Sequence, residues 1–361
     1  MMISQGIGFV EQAKKYSMNN AGKSLEKYCL LKSGEFAYNH GASKAKPFGV
    51  AYELREATSA LVPFVYHTFR FKEGIGGYWN IALNTKHIDN QLRRLISSSA
   101  RMDGLLNISY DTYTSITVAN PSIEEQKRIS DFFSTLDKKI SLTETRLNYT
   151  KKLKKATIQA IFSESSDKQW SARRLDELLR FQNGINANRE AFGSGVKLIS
   201  VSEILDSTPI TYYSIRTSVE VDDKTIEKFS VSYGDVLFQR SSETVEDAGK
   251  SNIYMDKDRQ AVFGGFVIRG KKIADYNPIF LNEALKTPAV RKQMMMYAQG
   301  AQHINIGQES LSKVVVNLPP LKEQDRYAEI ISSFDKRIAL LEKKIIAQKE
   351  LKRALLQQMF V

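Results

Sequence analysis

Residues 121–163 and residues 319–361 are two copies of one segment, and this duplication constrains the chain more than any other feature. PSIEEQKRISDFFSTLDKKISLTETRLNYTKKLKKATIQAIFS aligns without a gap to PPLKEQDRYAEIISSFDKRIALLEKKIIAQKELKRALLQQMFV at a constant offset of 198 residues, with 16 of the 43 paired positions identical. Beyond its opening prolines neither copy holds a glycine or a proline, and both are rich in Lys, Glu, Gln, Leu and Ala, so each is expected to be one long helix. Apolar residues recur at Ile129, Phe133, Leu136, Ile140 and Leu147, and again at Phe334, Ile338, Leu341 and Ile345. That spacing of about 3.5 residues marks a coiled-coil seam. A rod of roughly 60 Å is too long to bury its stripe against one small domain, so the two copies are expected to pack against each other.

The duplication extends upstream. LLNISYDTYTSITVANP (105–121) lies over HINIGQESLSKVVVNLP (303–319) in the same register, and KSGEFAYN (32–39) resembles SYGDVLFQR (232–240). The unit is therefore a mixed lobe followed by a long helix, present twice. Short β-rich runs such as GDVLFQ, AVFGGFVIRG and KVVVNLP alternate with turn residues, while IFLNEALKTPAVRKQMMMYAQ is a helical stretch interrupted by Pro288. The expected fold class is α+β: two α/β lobes separated by two long antiparallel coiled-coil helices in a pseudo-two-fold repeat. Its expected divisions are a first lobe at 1–120, a first helix at 121–163, a polar linker at 164–169, a second lobe at 170–318 and a second helix at 319–361.

Charge names the partner class. Lysine and arginine total 52 against 40 acids, a net charge of +12, which favours a polyanion through released counterions. No apolar run approaches the roughly 18 to 20 residues of a spanning helix, and the N-terminus lacks the apolar core of a signal peptide, so a cytoplasmic protein without a membrane partner is expected. The single cysteine, Cys29, and four scattered histidines leave no disulfide framework and make a metal site improbable.

Catalytic motifs are weak. Asn277-Pro278-Ile279-Phe280 has only part of the Asn-Pro-Pro-Phe box that holds a flipped adenine, without a glycine-rich cofactor loop, and reads as a turn starter. The triplets Gly22-Lys23-Ser24 and Gly249-Lys250-Ser251 lack the glycine of a phosphate loop, since Ser17 and Thr244 stand five residues earlier. No catalytic residue and no cofactor is expected.

Base reading calls for forked or amide side chains on loops beside basic and aromatic neighbours. Gln239, Arg240, Ser241, Ser242 and Lys250 form one candidate loop, and Gln302, His303, Asn305 and Gln308 another. In the first lobe Tyr38, Asn39, His40, Ser43, Lys44 and Lys46 form a basic-aromatic stretch, with Arg101 and Asn107 in the second position. Asn107 and Asn305 share an alternative reading as turn anchors. The helix openings Glu125, Gln126, Arg128 and Glu323, Gln324, Arg326 place carboxylates where they complement a helix dipole.

A proline followed by EEQKRI or KEQDRY at the start of a long helix, repeated and alternating with two dissimilar lobes, resembles the specificity subunits of type I restriction-modification systems. YGDVLFQRSSETVEDAGKSNIY (233–254), GAQHINIGQESL (300–311) and GEFAYNHGASKAKPFGVAYEL (34–54) resemble blocks of their target recognition domains, and the likeness runs through nearly the whole chain. It implies a non-catalytic subunit that reads a bipartite double-stranded DNA target, one half per lobe. Two modification subunits would dock on the helices, the six opening residues among the contacts, and restriction subunits would join them. S-adenosylmethionine, ATP and magnesium would sit on those partners only. The alternatives are a fused DNA methyltransferase or nuclease with duplicated recognition domains, and a coiled-coil scaffold for membranes. One departure stands out: the second lobe has a leading segment from Trp170 that the first lobe is too short to match, so a truncated or rearranged first lobe of lower stability is expected.

Overall fold

The computed structural model describes residues 1–4, 7–11, 26–41, 43, 46–55, 57–96, 106–163, 170–300 and 303–360. The expected linker at 164–169, with Lys44, Arg101 and Gln302, lies outside them. The chain forms two compact units, Met1–Arg146 with Leu341–Val361 and Leu147–Leu340. Each long helix thus contributes to both units instead of forming a division of its own.

In the first unit β1 (Met2–Ser4) pairs with β2 (Gly8–Val10), and β3 (Cys29–Lys32) with β6 (Ser59–Val62). The central sheet has the order β5 (Val50–Glu53), β4 (Phe36–Asn39), β7 (His67–Phe69), all antiparallel. Helices α1 (Gly76–Ala82), α2 (Lys86–Leu95) and α3 (Tyr110–Thr114) follow, and then the long α4 (Ile123–Ser163). An aromatic core fills the space between sheet and helices: Tyr38 stacks on Tyr113 at 3.8 Å and Phe71 on Trp79 at 4.1 Å.

The second unit repeats this plan with additions. Strands β8 (Ser171–Arg174) and β9 (Leu179–Asn183), joined by the single turn α5 (Leu175–Leu178), come from the leading segment. Strand β10 (Phe192–Ile199), helix α6 (Val201–Leu205), strand β11 (Thr217–Val219) and helix α7 (Asp223–Phe229) precede β12 (Val236–Gln239), β13 (Ser241–Ser242), β14 (Ser251–Ile253), β15 (Val262–Phe263) and β16 (Val267–Lys272). The main sheet has the order β14-β12-β16-β9, so the leading segment supplies a fourth strand. Helices α8 (Pro278–Leu285) and α9 (Pro288–Tyr297) come next, with Pro288 opening the second helix where its missing amide costs nothing. Strand β17 (Ile304–Asn305), helix α10 (Gln308–Ser312), strand β18 (Val315–Leu318) and the long α11 (Leu321–Met359) complete it.

The repeat survives in detail. Gly34 and Gly234 sit at φ +86° and +88°, each opening the turn into a central strand in a conformation that other residues resist. Glu35 accepts the amide of Lys32 as Asp235 accepts that of Ser232. Gln91 clasps both backbone groups of Thr117, and Gln293 clasps both of Val315.

The long helices run antiparallel. In the first unit Lys352 pairs with Asp137 and Lys349 with Glu144; in the second Lys154 pairs with Asp335. The expected seam residues Phe133, Ile140, Leu341 and Ile345 are buried, but so are Gln126, Thr143, Thr150, Gln324 and Gln348. These polar residues continue the same three-then-four spacing, which a count of apolar positions passes over.

Candidate nucleic-acid interface

Two segments read from the sequence as separate loops meet in the second unit. Strand β13 pairs antiparallel with β17, placing Ser241 opposite Asn305 and Ser242 opposite Ile304. Arg240 lies between this pair and the main sheet: its carbonyl accepts from Ile306 N at 3.0 Å, and its own amide donates to Phe266 O at 2.9 Å. Its side chain is exposed and donates from Nη1 to Gly265 O at 3.3 Å. His303 and Asn305 are exposed beside it, and Asn305 Nδ2 donates to His303 O at 3.0 Å, the turn-anchoring role weighed for it. Gln308 is the half-buried first residue of α10.

Of the remaining residues of that set, Gln239 and Ser242 are engaged inside the protein, and Lys250 is ion-paired at the surface with its side chain 44% exposed. Gln239 and Ser242 are buried, with Gln239 Nε2 donating to Ser241 O and Ser242 Oγ to Thr244 O. They shape the loop and do not face outward, which corrects the expectation for both. Lys250 is paired with Asp247, and the neighbouring Gly249 amide donates to Gln239 O, so this triplet is a turn that ties the loop to the end of β12.

The first unit closes in the same way, since Leu106 N donates to His40 O at 2.9 Å. Its basic-aromatic stretch, however, points largely inward. Tyr38 is buried, donates its hydroxyl to Phe48 O and has its phenol pushed up by that burial. His40 is 5 % exposed, with both ring nitrogens on backbone carbonyls, those of Leu106 and Val65. Neither can reach a base from there, a correction that follows from packing: an aromatic ring at an inward strand position joins the core. Asn39 is half-buried and caps Gly41 N; Lys46 donates from Nζ to Asn84 O. Ser43 and Asn107 are exposed.

The helix openings split likewise. Glu125, Arg128 and Arg326 are exposed and Glu323 half-buried. Gln126 and Gln324 are 0 % and 3 % exposed. Gln126 accepts from Ile75 N and donates to Asn120 and Pro121, while Gln324 accepts from Asn277 N and donates to Pro319 O. They pin each helix to its lobe and present nothing to a partner, which removes both from the expected docking set. Asn277 itself caps α8, accepting from the amides of Ile279 and Phe280, so the partial adenine-box sequence is a helix start with its Phe280 ring in the core.

Sequence reading missed Asn183, Asn186 and Phe266. Asn183 pairs with Ile268 at the end of β9, next to Arg240's end of the sheet, and both asparagines are exposed. Phe266 is 71 % exposed on the turn between β15 and β16. The signal was Gly264-Gly265 inside a run otherwise read as continuous strand.

Among the described residues no cluster of His, Cys, Asp or Glu could hold a metal ion, and no helix is long and apolar enough to cross a membrane.

Comparison with known proteins agrees with this architecture. The chain is 27% identical over 197 residues to a protein named as a putative type I restriction enzyme MjaX specificity subunit from Methanocaldococcus jannaschii, covering 53% of this chain and 45% of the relative. It is 22% identical over 268 residues to the type I restriction enzyme EcoKI specificity subunit of Escherichia coli (strain K12), covering 68% and 56%. The chain thus spans about half the length of these curated relatives. Among solved structures, the type I restriction-modification S subunit from M. genitalium matches with a TM-score of 0.53 at 13% identity, covering 93% of this chain and 85% of that one. A chain from a study of assembly and conformational transition in the type I R-M system matches with a TM-score of 0.55 at 14% identity, over 92% and 82%. These likenesses show a shared fold. A family model described as the type I restriction modification DNA specificity domain matches residues 167–350, more than half of the sequence, and the chain belongs to that family.

Proposed function

We propose that this chain is the non-catalytic DNA-recognition subunit of a type I restriction-modification enzyme, reading a bipartite double-stranded target. The observation that carries the reading is the β13–β17 pairing, which brings the exposed Arg240, His303 and Asn305 together around the half-buried Ser241. Guanidinium and amide groups held on a fixed backbone are the chemistry that distinguishes guanine and adenine in the major groove. The excess of 12 positive charges supplies the salt-sensitive, sequence-independent part of the affinity.

Methyl transfer and cleavage then belong to partners. Two modification subunits bring S-adenosylmethionine, restriction subunits bring ATP and magnesium chemistry, and Glu125, Arg128, Glu323 and Arg326 are the helix-opening residues offered for docking. The working location is the cytoplasm. Methylation mapping of the host genome with and without the gene tests the proposal. A bipartite methylated motif that disappears with the gene supports it, and an unchanged methylome overturns it.

A further inference from the structure

The turn at residues 264–266 is held more firmly than a surface loop needs to be. Gly264 N donates to Ile199 O at 3.0 Å, Val267 N donates back to Gly264 O at 2.9 Å, and Gly264 bridges Ile185. A side chain at Gly265 would collide with Asn186, whose Oδ1 lies 1.9 Å from the place a Cβ would occupy. The turn thus brings an exposed amide against its own backbone, and from that fixed base Phe266 projects with 71 % of its surface exposed.

Scattered apolar residues on a surface need no explanation. Phe266 differs in its attachment. Both backbone carbonyls that Arg240 uses belong to this turn: Arg240 N donates to Phe266 O, and Arg240 Nη1 to Gly265 O. Two exposed residues, one apolar and one a guanidinium, are therefore tied to each other through the backbone of one turn, with exposed Asn183 at the end of the adjoining β9 and the Ser241–Asn305 pair directly after Arg240. In the major groove, guanine offers two acceptors to a guanidinium, and thymine offers a 5-methyl group to an apolar side chain.

We propose that Phe266 contacts a thymine methyl group next to a guanine read by Arg240, so that the half-site of the second unit contains guanine and thymine as neighbours. The inference rests on the DNA-reading function proposed above. It assigns Phe266 a specificity role and leaves general affinity to the lysines and arginines.

The full chain, purified with its modification subunits, is used to select from a random library of DNA duplexes. Wild type should enrich a bipartite motif in which one half holds thymine beside guanine. Phe266→Ala should lose the thymine preference by roughly tenfold while keeping the guanine, and Phe266→Leu should retain much of it. Replacing that thymine by uracil, which lacks only the methyl group, should weaken wild type by a similar factor and leave Phe266→Ala unaffected. Thermal melting of the variants checks that this exposed position has not altered the fold. A wild-type motif that Phe266→Ala reproduces, or a uracil duplex bound by wild type as well as thymine, overturns the role of Phe266 while the DNA-reading function stands. Failure of wild type to enrich any motif overturns both.

Discussion

Lys154 Nζ lies 2.6 Å from Asp335 Oδ1, joining the two long helices within the second unit, and its image under the internal repeat joins them again in the first, where Lys352 meets Asp137 at 2.5 Å. The repeat that pairs residue 154 with 352 and 137 with 335 thus turns each contact into the other, as a pseudo-two-fold antiparallel pairing requires. Lys154 is 19% exposed and Asp335 46%, which puts the pair between a solvated and a buried ion pair. A double-mutant cycle with Lys154→Ala and Asp335→Ala is expected to give a coupling of about 0.5–1 kcal/mol, weakening as salt is added. The exchanged pair, Lys154→Asp with Asp335→Lys, should recover most of the loss seen for either single reversal. A coupling of zero by urea denaturation would contradict this.

Gln126 and Gln324 make a stronger claim on stability. Replacing Gln324 with leucine removes the acceptor of Asn277 N and the donor to Pro319 O in a site closed to water. The expected cost is about 2–3 kcal/mol, because a buried amide left unpaired forfeits its solvation as well as its bond. Gln126→Leu should behave alike through Ile75 N. Chemical denaturation of each variant measures both.

Burial holds the His67 imidazole below the ordinary histidine range; its bond to the Ile108 carbonyl opposes this, and the stacked His40 ring adds to it. A depressed value in the folded state means that the unfolded chain takes up the proton first. The stability contributed by the neutral ring is therefore present above the ordinary value of about 6.5 and is lost as the pH falls through the folded value. Thermal unfolding followed from about pH 7.5 down to about pH 5 should show a falling midpoint, and His67→Phe should flatten that slope.

Two substitutions separate base reading from phosphate binding. Arg240→Ala should cost about 1–3 kcal/mol on the selected sequence and relax the preference at one position. Lys250→Ala should weaken all sequences alike and reduce the salt dependence of binding. Binding assays at several salt concentrations distinguish the two patterns, and identical behaviour would remove Arg240 from the reading set.

The architecture was legible largely because it is written in near neighbours. The helical seam follows from spacing over a few residues, and the repeat from an ungapped match of two segments at a constant offset. The buried polar positions Gln126, Thr143 and Gln348 were not legible, since nothing local marks a glutamine or threonine as buried. Phe266 was hidden for a related reason: Gly264-Gly265 bends the chain between two strands that read as one run.

What the sequence alone determined is the duplicated lobe-and-helix plan, the need of each apolar stripe for a partner helix, and a net positive charge suited to a polyanion. Only the tertiary structure decided which candidate side chains reach solvent. His40 and Arg240 occupy corresponding positions at the ends of β4 and β12, yet one is closed over by the carbonyls of Leu106 and Val65 and the other stands beside Phe266 in the open. The reason is physical: periodicity is a property of the local backbone, whereas a polar group's choice between water and a protein partner depends on atoms dozens of residues away in the chain.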